Sequence, residues 1–295
     1  MAPAQIALLP DRGVARVAGE DAEKLLQGII TNDMGLLATQ PAIHAALLTP
    51  QGKILFDFFV ARAAAGFLLE TANDKVAELV KRLQMYRLRA KVEIADASSQ
   101  YRVLALWGTF PQGPREIAGT VSFPDPRLPE LGWRILAGTA PASDIAATDA
   151  APEAYHAHRI ALGVPEGGKD YAFGDAFPHE ADLDLLNGVS FDKGCFVGQE
   201  VVSRMQHRGG ARKRVVPVDA DAPLASGAEV TAGSAVIGTV GSVADRRALA
   251  MVRLDRAAEA KAKGEPLRAG GVPITLRQPA WATFDPTAGA TAEAS

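Results

Sequence analysis

Apolar residues first recur at helical spacing in Ala22, Leu25, Leu26, Ile29 and Ile30, and the run ends on Asn32-Asp33, so an amphipathic helix is predicted there. Ile43 to Thr49, a turn at Gln51-Gly52 and Ile54 to Arg62 read as a hairpin rich in β-branched, Leu and Phe side chains. Phe67 to Thr71 adds a strand, and Lys75 to Tyr86 a helix through Val76, Leu79, Val80 and Leu83. Strand character returns at Val92 to Ala97 and Tyr101 to Trp107, and this order of elements predicts an α+β unit with mainly antiparallel pairing. Pro111 to Pro129, rich in Pro and Gly, reads as a loop.

Pro152 to Leu162 has Pro at its start and Gly163 just past its end, the asymmetry of a helix. No period holds from Gly163 to Ser190, and so long a loop inside a compact chain is usually functional. Phe196, Val197, Val201, Val202 and Met205 again keep helical spacing. Beyond Arg212 short strands take over: Val215 to Val218, Glu229 to Thr231, Ala235 to Val243, Ala248 to Leu254 and Val272 to Leu276, punctuated by glycine. They predict a small closed β-barrel. The expected organisation is an α+β region over 1–210, with a possible second subdomain around 45–140, a barrel over 211–285 and a disordered tail over 286–295.

Charge is nearly balanced, 31 basic against 34 acidic residues, which argues against a dedicated nucleic-acid binder. A single cysteine excludes an internal disulfide and any zinc or iron–sulfur site built from several thiolates of one chain. His156 and His158 alternate on a predicted helix and offer no metal spacing, and no glycine run forms a phosphate loop, so neither a metal nor a nucleotide cofactor is expected. The N-terminus carries Asp11, Arg12, Arg16, Glu20 and Asp21 and no apolar stretch of signal or membrane length, which reads as a soluble, cytoplasmic protein.

Cys195 sits in the run Asp192-Lys193-Gly194-Cys195-Phe196-Val197-Gly198-Gln199-Glu200. A free cysteine is most often a small buried hydrophobe. Here two glycines bracket the thiol, and Lys193 with Arg204, His207, Arg208, Arg212, Lys213 and Arg214 would favour the thiolate. The helical spacing after it places Cys195 at or near a first turn. Asp57 lies in Leu55-Phe56-Asp57-Phe58-Phe59, where strand alternation allows either a solvent-facing acid or a buried, paired one.

The string Lys193-Gly194-Cys195-Phe196-x-Gly198-Gln199-Glu200 resembles the signature of the YgfZ family of folate-binding proteins, relatives of the glycine-cleavage aminomethyltransferase (T-protein) and of mitochondrial factors that help mature [4Fe-4S] proteins. Gly19-Glu20-Asp21-Ala22, Leu25-Leu26-Gln27-Gly28, Thr31-Asn32-Asp33, Thr49-Pro50-Gln51-Gly52-Lys53, His158 to Pro165, Phe177-Pro178-His179-Glu180 and Pro279-x-Trp281 fit the same pattern in order, so the resemblance covers nearly the whole chain. It implies an aminomethyltransferase-like fold and an accessory factor that binds tetrahydrofolate, or a one-carbon derivative, and serves the maturation or repair of iron–sulfur proteins. An indirect effect on tRNA modification follows through the cluster enzymes that thiolate tRNA.

By the same resemblance Cys195 is the reactive thiol, with Lys193, Gln199 and Glu200 of its motif, and Asp57, Arg159 and Glu180 are the candidate folate contacts. The basic run from Arg204 to Arg214 would serve the anionic folate tail or an acidic partner surface. Implied partners are folate and iron–sulfur assembly proteins or client enzymes, without stable nucleic-acid or membrane binding. A folate-dependent one-carbon transferase is the alternative, and Ala161, where T-proteins usually carry an acid, together with the Lys-Gly-Cys string they lack, argues against it. RNA binding through Lys81 to Lys91 and Arg204 to Arg214, with Tyr86 or Phe196 stacking, is a third reading.

Overall fold

The computed structural model describes residues 3–109, 119–138, 147–207 and 211–288. They divide into two compact units, one from the described residues of Met1–Leu48, Leu55–Tyr155 and Leu186–Val197, the other from those of Thr49–Ile54, His156–Leu185 and Gly198–Ser295.

In the first unit the chain runs β1 (Gln5–Leu8), β2 (Arg12–Ala18), α1 (Ala22–Ile29), β3 (Ala42–Leu48), β4 (Ile54–Ala63), β5 (Gly66–Ala72), α2 (Val76–Arg87), β6 (Glu93–Asp96), β7 (Arg102–Trp107), β8 (Thr120–Pro124), β9 (Trp133–Ala137) and β10 (Thr148–Asp149). Two five-stranded sheets result, ordered β3-β4-β5-β2-β6 and β10-β1-β7-β9-β8; β1 runs parallel to β10, and β2–β5, β2–β6, β4–β5, β1–β7, β7–β9 and β8–β9 pair antiparallel. Phe56, Phe58 and Val60 of β4 join Leu26 and Ile29 of α1 and Leu79 and Leu83 of α2 in one apolar cluster. The intervening Phe59 and Ala61 join Val103, Ala105 and Trp107 of β7 in another. The first sheet is therefore covered on both faces, by helices on one side and by the second sheet on the other. That is why β3 is buried along its whole length and why simple alternation fails there.

Helix α3 (Pro152–Leu162) begins in the first unit and ends in the second. The second unit continues with α4 (Gln199–His207), β11 (Lys213–Ala220), β12 (Glu229–Ala232), β13 (Ala235–Ala244), β14 (Arg247–Arg253), α5 (Leu254–Lys263), β15 (Leu267–Ala269) and β16 (Val272–Leu276). Its six strands close into a barrel in the order β11-β14-β13-β12-β15-β16, around Val216, Val230, Val240, Ala250 and Val252. Buried Leu254, Ala257 and Ala260 of α5 belong to the same core.

The structure corrects several sequence expectations. Strands β1, β2 and β9 were not anticipated; β2 carries Arg12 and Arg16 in a seven-residue strand, and its buried positions are a glycine, two alanines and two valines whose pattern is weak. Thr120–Pro124, inside the expected loop of 111–129, is strand β8, paired along its length with β9, while 111–118 lie outside the described residues. Leu254, expected to end a strand, starts α5, whose apolar face is mostly alanine. Gly210, the expected boundary, and 289–295 of the expected tail also lie outside the described residues.

Candidate functional site

In the first unit, residues Leu186–Val197 are fastened to the exit of α1. Thr31 Oγ1 donates to Gly188 O at 2.6 Å, Ser190 N donates to Thr31 O at 3.0 Å, and Asn32 Nδ2 donates to His44 O at 2.7 Å and Asn187 O at 2.8 Å. Lys193 completes the attachment. Its ammonium donates to Gln27 O at 2.7 Å and Ile30 O at 2.7 Å, carbonyls of the last turn and cap of α1, and to Asn32 O at 3.0 Å just beyond the helix. It also stands 5.3 Å from the Phe196 ring centroid. Burial pulls its pKa down to about 8, against the opposing charge of Asp33.

Cys195 is exposed between these two anchors: Lys193 and Phe196 are buried, whereas Gly194 and Cys195 face solvent. The expectation of Cys195 near a helical first turn is corrected, because α4 starts at Gln199. Gly198, at φ +81°, turns the chain through the left-handed region before the helix can begin. Val197 is drawn into the first unit's apolar cluster, and the division between units falls between Val197 and Gly198. Gln199 and Glu200 thus lie in the second unit, in the first turn of α4, and exposed Arg204 donates to Glu200 at 2.7 Å.

A cleft of about 500 Å³ opens in the first unit beside this segment. Asn32, Gln40, His44, Asn187, Ser190 and Asp192 supply its polar wall, and Leu36, Ile43, Val189 and Phe191 an apolar one. Size and mixed lining are those of a small-molecule site.

Asp57 is buried, not solvent-facing. On β4 it alternates with Phe56 and Phe58 and so shares the side of Phe59, whose ring meets His44 edge-on at 5.6 Å. His44 lies at the cleft wall, and its Nδ1 donates to Leu186 O at 3.2 Å. Burial, then the nearby Arg127 guanidinium, lower its pKa to about 4, while the charges of Asp57 and Asp125 oppose them. The same interior holds an ion network: Arg12 and Arg134 meet Glu70 at 2.6 and 3.3 Å, Arg127 meets Asp125 at 2.8 Å, and Arg134 donates to Tyr155 Oη at 2.9 Å. Arg127 and Arg134 also stack over Phe59, 4.9 and 5.3 Å from its centroid. Sequence reasoning missed His44 and this network. A histidine inside the apolar run Ala42–Leu48 was the available signal.

Arg159 lies in the second unit and has no exposed surface. Its guanidinium meets Asp170 at 2.7 Å and Glu166 at 3.2 Å and donates to Ser242 Oγ at 2.6 Å. Asp170 also accepts from Ser242 N at 2.7 Å, an approach that only glycine at 241 permits, since a Cβ there would come within 2.6 Å of the carboxylate. Glu180 accepts from Phe177 N at 3.0 Å and lies 3.5 Å from Lys213. Arg214 is buried on Asp182 and Asp184 at 2.9 and 2.7 Å, Arg212 is exposed, and Arg208 lies outside the described residues. Asp57 and Arg159 therefore fall in different units, and much of the basic run is engaged with carboxylates of its own unit. Among the described residues no group of three or more His, Cys, Asp or Glu could hold a metal ion.

Two family models match: the GCVT N-terminal domain over residues 12–118 and the CAF17 C-terminal beta-barrel domain over 212–284. The mitochondrial iron–sulfur cluster assembly factor IBA57 homolog of Mycosarcoma maydis is 38% identical over 229 residues, 72% of this chain and 57% of that protein. Human mitochondrial IBA57 is 34% identical over 253 residues, 78% of this chain and 70% of its own length. The chain thus spans little more than half of the fungal relative. Among solved structures, the aminomethyltransferase T of the Bartonella henselae glycine cleavage system superposes with a TM-score of 0.77 at 18% identity, covering 95% of this chain and 87% of that one, which establishes the fold as aminomethyltransferase-like. The cytoplasmic expectation is overturned by relatives that are mitochondrial proteins; the N-terminal composition on which it rested speaks to a signal peptide or a span and not to an organelle. With a relative matched at this identity over 70% of its length, the chain belongs to the family of the iron–sulfur cluster assembly factor IBA57.

Proposed function

We propose that this chain is a tetrahydrofolate-binding accessory factor in the maturation or repair of iron–sulfur proteins, with Cys195 as its reactive group. The observation that carries the reading is the presentation of that thiol, exposed between buried Lys193 and Phe196 on a segment pinned to α1. A packed core cysteine would be shielded. Family membership supports the same role. One thiolate is fewer ligands than a cluster needs, so Cys195 would act transiently beside ligands from a partner, as a shared ligand or in a mixed disulfide. The finer likeness to YgfZ proteins, and an indirect effect on tRNA thiolation through cluster enzymes, belong to this proposal.

The first unit's cleft would take a reduced folate: its volume and apolar wall suit a flat pterin, and Gln40, Asn187 and Asp192 line it with the amide and carboxylate groups a pterin edge requires. Asp57 and His44 would tune that wall from the adjoining sheet. A bound folate would supply nitrogens able to carry a one-carbon unit. Arg159 and Glu180 are assigned to folate by resemblance alone, and Arg204 by the charge of its basic run. Calorimetric titration with tetrahydrofolate and its one-carbon derivatives tests the reading; binding of none would refute it, and catalytic consumption of methylene-tetrahydrofolate by the pure protein would favour the transferase.

A further inference from the structure

Helix α2 turns Val76, Leu79 and Leu83 inward. Lys81 and Met85, one turn apart, occupy the opposite face, where Met85 is 62% exposed. The helix stops at Leu88, which is 86% exposed and has φ +45°, a left-handed backbone that a leucine rarely adopts. From Leu79 to Val92 the chain carries Lys81, Arg82, Arg87, Arg89 and Lys91 and no acid. Lys91 pairs with Glu20 at 2.8 Å and Arg87 donates to Val92 O at 3.4 Å, whereas Lys81, Arg82 and Arg89 have no ion pair among the described residues.

We propose that this end of α2 docks on a lipid bilayer bearing anionic headgroups, with Leu88 and Met85 entering the interfacial layer and the surrounding cations meeting the phosphates. An apolar pair set in a cationic turn has the chemistry of such a surface. A leucine standing this far into water needs a matching pocket on a protein partner, but none in a bilayer. RNA is disfavoured because the exposed side chains are aliphatic and the Tyr86 ring packs against the first unit's apolar cluster, leaving no stacking platform. The sequence expectation of no membrane binding is revised by this proposal, which is independent of the folate and cysteine chemistry.

Co-sedimentation of the full chain tests it, with vesicles of phosphatidylcholine alone or with one third phosphatidylglycerol, at low and high salt. Sedimentation is expected with the anionic vesicles at low salt only. K81Q/R89Q should weaken it about twenty-fivefold and Leu88→Ser about tenfold, with thermal melting unchanged. Equal behaviour with both vesicle types, or variants that sediment like the wild type, overturns the proposal. So does tRNA binding lost in K81Q/R89Q without any vesicle binding, or competition by polyglutamate with no effect of Leu88→Ser, which would mark a purely electrostatic protein site.

Discussion

His44 gives the sharpest quantitative prediction, because its environment fixes both a sign and a size. Its Nδ1 faces the carbonyl of Leu186, which can only accept, so the neutral imidazole carries its proton at that nitrogen. Burial and Arg127 lower its pKa from 6.5 to about 4. Between these values the unfolded chain binds a proton that the folded chain does not, so stability rises with pH across the window and is lost as pH falls from about 6.5 towards 4. At about 1.4 kcal/mol per decade the loss attributable to this residue is about 3 kcal/mol. His44→Gln keeps a donor for Leu186 O and removes the titration. Urea unfolding at a series of pH values, in a Trp281→Phe background so that fluorescence from Trp107 and Trp133 reports the first unit, should show a shallower acid loss for His44→Gln by up to about that amount. Titrating groups remote from His44 are common to both proteins and cancel in the difference, which therefore reads His44 together with its charge coupling to Asp57 and Asp125. Identical pH profiles would refute the assignment of a neutral, buried His44.

Lys193→Met should destabilise the first unit by about 1.5–3 kcal/mol or more, because three carbonyls lose a charged donor, and should change the rate of Cys195 alkylation by iodoacetamide; a variant that melts and alkylates like the wild type contradicts the anchoring role. Arg159→Ala leaves Asp170 as a buried acid without its cation and Glu166 with Lys169 at 2.9 Å, so the second unit should lose about 3–5 kcal/mol of stability, and an unchanged melting curve would rule out this structural role. If Asp57 contributes to the folate wall, Asp57→Ala should lower tetrahydrofolate affinity by roughly one to two decades in calorimetry; affinity equal to wild type removes it from the site.

Helices α1 and α2, the β3–β4 hairpin and most barrel strands were legible because each buries one regular face, as Leu26 and Ile29 or Leu79 and Leu83 do. Elements that bury alanine, such as α5, or carry paired arginines, such as β2, gave little contrast between inside and outside. Asp57 could not be placed by alternation because β4 is covered on both faces. The cysteine run was conspicuous as chemistry, yet the use of Lys193 was hidden. Its partners are backbone carbonyls more than 160 positions earlier in the chain, which no local pattern encodes. The cleft is equally non-local, since Asn32 and His44 meet Asn187 and Asp192 only in the folded unit.

The claim that Cys195 serves iron–sulfur maturation is tested most directly by reactivation of a purified apo [4Fe-4S] enzyme supplied with iron, sulfide and thiol reductant, comparing the wild-type chain with Cys195→Ser at matched thermal stability. An exposed thiol with no packing role predicts that the variant folds and melts like the wild type but loses most of the acceleration of enzyme recovery. Recovery equally fast with Cys195→Ser, or a large fall in its melting temperature, would contradict the account.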